Sequence, residues 1–389
     1  MIRALYLHIP YCERKCTYCD FTSVGGVRGQ REYAQALRAE LRHMAERLDP
    51  GSVALDTIFI GGGTPSLLDT ELLHGILDEV RAGFAISRDA EITMEANPSS
   101  TTAAKAERWL DAGVNRISLG VQSLHPDILR FLDRVHDGDR AIRAVHDVSR
   151  AGFVRVNTDL IYAVPGLDDA RWQDTLDRVL ALGCEHLSCY ELTVEEGTPL
   201  ASAVAAGAVA TTDADTALRQ HWITVNSAAR AGLHQYEISN FARPGGECRH
   251  NLHYWHNQHY LAAGVGAHGH LPLDAARSLG IEQSRHGADD IAAIRYWHTD
   301  SIPDYVGGAP LHTERVTTEQ RWQEKILVGL RLTEEGVPLH DADASARAEA
   351  VALQEAGLLD WDGRVARVTA RGQELLDAVA LRLCDTRAA

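Results

Sequence analysis

The chain has 389 residues, 45% hydrophobic and 24% charged, enough for one large α/β domain and a smaller one. Its formal net charge of −16 argues against a nucleic-acid binder, which presents a basic face to phosphates. Seven cysteines, an odd number, without a secretory leader suggest a reducing cytosol and a cytoplasmic protein. No apolar stretch has the length of a membrane span, and Leu200–Ala210 is too short and too rich in Ala and Gly, so membrane contact is expected to be peripheral at most.

Strand and helix patterns alternate over about the first 240 residues, as in βα units that build a parallel sheet. The first strand, Ala4–Ile9, runs into Cys12-Glu13-Arg14-Lys15-Cys16-Thr17-Tyr18-Cys19. Arg31–Leu48 reads as an amphipathic helix with Leu37, Leu41, Met44 and Leu48 at helical spacing. Thr57–Ile60 is a strand that stops at Gly61-Gly62-Gly63-Thr64-Pro65, and Thr70–Ala82 a helix. Glu91–Glu95 is a strand, Thr102–Ala112 a helix, Asn115–Leu119 a strand leading into Gln122 and Ser123. Arg140–Arg150, Ala170–Leu182 and Asp213–Ala231 are helices that end at Gly152, Gly183 and Gly232, with strands Val154–Ile161 and His186–Leu192 between them. About six βα units result, fewer than the eight of a full barrel, and an open doubly wound sheet fits the same pattern.

Three thiols in one short loop at C-x3-C-x2-C spacing are too crowded and too odd in number for disulfides. They suit a metal: a zinc site that takes a fourth ligand, or an iron–sulfur cube held by three cysteines with one iron open. Glu13, Arg14 and Lys15 among them speak against a cluster of core cysteines. In parallel α/β folds ligands bind at the carboxyl ends of strands, and nearly every strand delivers polar or glycine-rich residues there. After the cysteines come the glycine run with Thr64, then Glu95 and Asn97, then Gln122 and Ser123, then Asp159, then Tyr190 and Glu191. One such residue is a solvated strand end; a ring of them is a polar pocket.

A second stretch, Cys248-Arg249-His250-Asn251-Leu252-His253-Tyr254-Trp255-His256-Asn257-Gln258-His259-Tyr260, is dense in histidine and aromatics and is followed by the glycine-rich Ala263–His270. Histidine ligates heme iron and aromatics pack on porphyrin faces. The plainer reading is a polar loop that closes the open barrel, with His253, His256 and His259 exposed. Cys248 is a weaker thiolate candidate. Thr317–Leu332, Ala344–Ala356 and Ala370–Leu383 then read as helices, with a hairpin turning at Asp362-Gly363. This helix–helix–hairpin resembles a winged helix, yet residues 311–389 carry a net charge of −4, so a role in covering the barrel mouth or meeting a protein is expected rather than DNA binding.

Cys12-x3-Cys16-x2-Cys19, preceded by Tyr6 and His8-Ile9-Pro10, resembles the cluster loop of the radical S-adenosylmethionine (SAM) family. His250-Asn251-x-x-Tyr254-Trp255 and Arg331-Leu-Thr-Glu-Glu-Gly-Val337 narrow the resemblance to the subgroup of oxygen-independent coproporphyrinogen III oxidases and HemW-type heme chaperones. The resemblance implies an α/β fold, an incomplete (β/α)6 TIM-type barrel with a smaller C-terminal helical, winged-helix-like domain. It divides the chain into residues 1–240, the barrel; 241–310, a heme-binding connecting segment; and 311–389, the C-terminal domain. It implies a [4Fe–4S] cluster on Cys12, Cys16 and Cys19 whose open iron binds the amino and carboxylate groups of SAM. SAM contacts would come from Gly62, Gly63, Thr64, Glu95, Gln122, Arg134 and Asp159, with Tyr6 and Tyr18 flanking cluster or adenine. His250 would be linked to heme. Phe21 stands where the oxidases usually carry a fourth cysteine, and their N-terminal extension is missing ahead of the first strand. Both departures favour a heme chaperone that hands heme to acceptor hemoproteins, fed by an electron donor of flavodoxin or ferredoxin type. SAM-dependent decarboxylation of coproporphyrinogen III is the alternative, and a zinc-stabilised binding module a third reading.

Overall fold

β-Branched and aliphatic residues dominate the first strand, β1 (Ile2–Ile9), which is buried on both faces apart from Arg3 and Tyr6. Such a strand belongs at the centre of a parallel sheet. The computed structural model, which describes residues 1–282 and 290–384, puts it there. The helix α1 (Gln30–Arg47) follows and buries Tyr33, Leu37, Leu41 and Met44 as its spacing predicts. Then come β2 (Val53–Gly62), α2 (Thr70–Gly83), β3 (Ala85–Ala96), α3 (Ala103–Asp111), β4 (Arg116–Gln122), α4 (Gly138–Ala151), β5 (Arg155–Tyr162), α5 (Asp169–Leu180), β6 (His186–Glu191) and α6 (Ala214–Arg230). Asp137, Asp168 and Asp213 start α4, α5 and α6 by accepting a backbone N–H from three residues on. Strands β1 to β6 pair in chain order, all parallel.

Beyond α6 the sheet continues where the sequence suggested a polar loop. The strands β7 (His234–Glu237) and β8 (Asn240–Ala242) form an antiparallel hairpin against β6. After the helix α7 (Arg249–Trp255), β9 (Tyr260–Ala263) pairs parallel to β1 on its other side. The antiparallel strands β10 (His268–Leu271), β11 (Ile291–Trp297) and β12 (His312–Thr317) extend that edge. The result is one twelve-stranded sheet whose edge strands β12 and β7 do not pair among the described residues, an open barrel.

The last unit contains α8 (Thr318–Gly329), β13 (Val337–Pro338), α9 (Ala344–Glu355), a hairpin of β14 (Leu359–Trp361) and β15 (Val365–Val368), and α10 (Leu376–Cys384). Ile326, Leu330, Leu353, Leu359 and Leu383 make it a separate core. It docks on the outside of α7 and β7. The Arg331 guanidinium lies 4.8 Å above the Trp255 ring and 3.5 Å from the buried Glu237 carboxylate. No residue of this unit lines the cavity at the barrel mouth, so among the described residues it does not cover that mouth.

Candidate functional site

A cavity of about 900 Å³ opens at the carboxyl ends of the parallel strands, large for a small-molecule site. Tyr6, Cys12, Cys16, Tyr18, Cys19, Gly62, Gly63, Thr64, Glu95, Gln122, Arg134 and Asp159 all line it. His250 does not. The strand-end rule gathers most of these residues, while Tyr6, Tyr18 and Arg134 were expected from the family resemblance; together they span more than a hundred positions of sequence.

The cysteine loop is held at both ends. Val24 N–H donates to Pro10 O at 2.8 Å and Gly26 N–H to Cys12 O at 2.7 Å. Thr64 Oγ1 and Arg134 Nη1 each lie 3.5 Å from a thiol, that of Cys12 and of Cys16 respectively. Burial, foremost, and the neighbouring Cys16 and Cys12 push the Cys19 thiol up to about 11. Three thiols whose ionised forms repel one another need a cation among them. An iron–sulfur cube takes three cysteines and leaves one iron open. The donor set thus fits an iron–sulfur cube.

The glycine run has a packing reason of its own. Gly63 N–H donates to Ile9 O at 2.8 Å, and a Cβ there would stand 2.9 Å from the backbone of Pro10 and Tyr11. Gly62 has φ +113°, and its Cβ would meet the His8 ring at 2.5 Å. The second strand end can therefore press against the cysteine loop only without side chains. Gly62 N–H donates to Glu95 Oε2 at 3.1 Å. Burial, and after it the Asp159 carboxylate, raises Glu95 to about 8. Asp159 accepts from Asn157 Nδ2 at 2.7 Å and Ser118 Oγ at 3.0 Å. Gln122, at φ 63°, leaves its buried Oε1 without a partner, and Arg134 leaves its Nε free although Nη2 reaches Asn97 Oδ1 and Gly120 O. Orphaned polar atoms and a pair of carboxylates around one cavity fit an amino-acid-like cation with its own carboxylate.

The barrel interior beneath is polar as well, and of its residues the strand-end argument named only Gln122 and Asp159. Arg116, Ser118 and Gln122 of β4, Asn157 and Asp159 of β5, and His186 and Ser188 of β6 point inward at alternate positions. The period-two placement of these polar residues in otherwise apolar strands was the available signal. Arg116 is buried with one guanidinium nitrogen unpartnered.

The histidine-rich stretch is helical rather than a loop. The buried Glu91, paired with Arg155 at 3.0 Å, accepts the first N–H groups of α7 from Arg249 and His250 at 3.3 and 3.2 Å. Cys248 points to Glu91 and is pushed up to about 12, chiefly by burial, so it offers no thiolate to the cavity. His253 is buried on Asp56 at 2.8 Å, while His256 meets Glu335 at 2.7 Å on the surface. His250 lies one layer behind the cavity wall. Its Nδ1 is 2.9 Å from Thr57 Oγ1, its Nε2 2.9 Å from Tyr254 OH, and its ring stacks on Phe59. Burial first, then the nearby His253 and Arg116, lower it to about 3. Neither nitrogen faces the cavity; Tyr254, Tyr260, Phe59 and Tyr6 form the wall in front of it.

A profile of the Radical SAM superfamily matches residues 6–179. Heme chaperone HemW of Mycobacterium tuberculosis (strain H37Rv) is 39% identical across 97% of this chain and 94% of its own. The chain belongs to the HemW family of radical SAM proteins. Heme chaperone HemW of Bacillus subtilis is 34% identical, covering 85% of this chain and 84% of its own. The radical SAM enzyme HemN, coproporphyrinogen III oxidase from Escherichia coli, superposes with a TM-score of 0.76 over 98% of this chain and 90% of its own at 19% identity, a likeness of fold. Membership in the HemW family brings a [4Fe–4S] cluster and SAM as the family's cofactors, consistent with the thiol and carboxylate sets above.

Proposed function

We propose that the chain is a heme-binding radical SAM protein that delivers heme to acceptor hemoproteins. The observation that carries this reading is a shared cavity: Asn251, Tyr254 and Tyr260 open onto the same space as Cys12, Cys16 and Cys19. Cys12, Cys16 and Cys19 hold the cluster, and Gly62, Gly63 and Thr64 set its loop. Glu95, ionised on binding a cation, takes the SAM ammonium or ribose; Arg134 takes the carboxylate; Gln122 and Asp159 fill the remaining polar positions. Tyr18 and Tyr6 close the two sides. A bound cluster supplies one electron to the sulfonium of SAM when a flavodoxin- or ferredoxin-type donor reduces it. His250 acts through Tyr254, fixing its hydroxyl in the wall that meets the porphyrin. The exposed Phe21 leaves the loop without the oxidases' extra thiol, which supports chaperoning over decarboxylation. The proposed setting is the cytoplasm; no helix among the described residues is long and apolar enough to cross a membrane.

One anaerobic preparation tests this. Hemin titration is expected to saturate, and His250→Ala to weaken it. Coproporphyrinogen III supplied with reductant and SAM is expected to remain unconverted. Turnover to protoporphyrinogen IX would replace this reading with the oxidase.

A further inference from the structure

Heme iron takes a ligand only from an atom with a lone pair to offer. Three histidines line the cavity, His8, His186 and His268. His8 spends its ring on Tyr6 OH at 3.1 Å and Thr22 O at 2.7 Å. His186 spends its own on Asn157 Oδ1 at 2.7 Å and Tyr236 OH at 2.9 Å. His250, behind the wall, is likewise committed at both nitrogens. Among the described residues the His268 ring makes no hydrogen bond; its one recorded ring contact is a stack on Trp297, centroids 5.6 Å apart and planes 8° from parallel.

That stack holds the ring by its face and leaves both nitrogens, which lie in the ring plane, free. Trp297 is in turn stacked by His312 at 5.5 Å and 17°, across the antiparallel register His268, Trp297, His312 of β10, β11 and β12. The turn before His268 is tied by hydrogen bonds to its neighbours. Val265 N–H donates to the buried Tyr33 hydroxyl at 3.2 Å and Gly266 N–H to Thr299 O at 2.9 Å. A Cβ on Gly266 would sit 2.4 Å from Thr22 Oγ1, so the turn lies directly on the cysteine loop. Partial burial lowers His268 from its ordinary 6.5, which keeps it neutral at pH 7.

We propose that His268 supplies the protein's ligand to heme iron, with Trp297 as the residue that positions its ring. This rests on the reading of the chain as a heme binder. The assignment places the iron at the β10 edge of the cavity, beside the cysteine loop, and makes His250 a support of the Tyr254 wall rather than a ligand.

The test is hemin titration of the full chain, followed by absorption and EPR of the ferric complex. Wild type is expected to show an imidazole-ligated spectrum. His268→Ala should lose that signature and weaken binding about tenfold or more, and added imidazole should restore the signature. His268→Gln, which keeps the side-chain volume, gives the same reading should the alanine variant fail to fold. His250→Ala should bind more weakly with the imidazole signature kept. If the His268 variants retain wild-type spectrum and affinity, or wild type shows thiolate ligation, the assignment to His268 fails while heme binding stands. Wild type that takes up no hemin overturns the heme reading itself.

Discussion

At Glu95 a carboxyl held at about 8 must give up its proton when a cation docks against it. SAM affinity is therefore expected to rise as pH climbs from 6 towards 8.5 in wild type and to stay flat in Glu95→Gln, by equilibrium binding to the reconstituted protein. The same shift sets a stability trend. Between its ordinary value of 4.5 and about 8 the folded chain holds a proton at Glu95 that the unfolded chain has lost, so this contribution to stability is lost as pH rises through that window. His8, lowered to about 4, and His250, lowered to about 3, are neutral when folded and act in the opposite sense below 6.5. The difference between wild type and Glu95→Gln isolates the carboxyl. Its melting temperature relative to wild type should increase from pH 5 to pH 8; a constant difference would contradict the placement of the proton on Glu95.

Among the elements, the close contact between the end of β2 and the cysteine loop is the most sensitive joint. Gly62→Ala forces a non-glycine residue to φ +113° against the His8 ring, a cost of about 1–3 kcal/mol. Urea unfolding should show that loss, and anaerobic iron uptake should fall with it because the strand end and the loop share the joint; unchanged values of both would contradict it. The parallel core was legible because strand and helix patterns alternate from β1 to β6, with Asp at helix starts and Gly152, Gly183 and Gly232 at helix ends. The edge strands were not. β9 and β10 have four residues each, carry Tyr and His, and earn their place by pairing with β1 and β11, which no local pattern records. The residues at the cavity mouth were legible from strand ends, since the carboxyl ends of parallel strands converge, whereas Arg116, Ser118, Asn157, His186 and Ser188 deeper inside were not. His250 was read for its chemistry, but its commitment to Thr57 comes from packing between segments 193 positions apart, and only the contact with Tyr254 is local to its helix. His268 passed unnoticed because nothing in Gly-Ala-His-Gly distinguishes a free imidazole from a bonded one.

For the molecule as a whole, two cores meet at Arg331. Its loss would leave the buried Glu237 carboxylate short of its ion pair and Trp255 uncovered. Arg331→Met is expected to destabilise the chain by about 2–4 kcal/mol in urea unfolding while leaving hemin affinity unchanged, because Arg331, Glu237 and Trp255 do not line the cavity. A change in hemin affinity at unchanged stability would contradict that separation. The proposed chemistry lies on the barrel side of the interface, where a loop of three thiols faces a cavity of about 900 Å³. Anaerobic reconstitution with iron and sulfide, read by iron content and by EPR of the reduced protein before and after SAM, tests this most directly. About four irons per chain are expected, lost on replacing Cys12, Cys16 and Cys19, with an EPR signal that changes when SAM is added. Protein with those thiols intact that takes up only a single zinc, or a cluster whose signal ignores SAM, would contradict it.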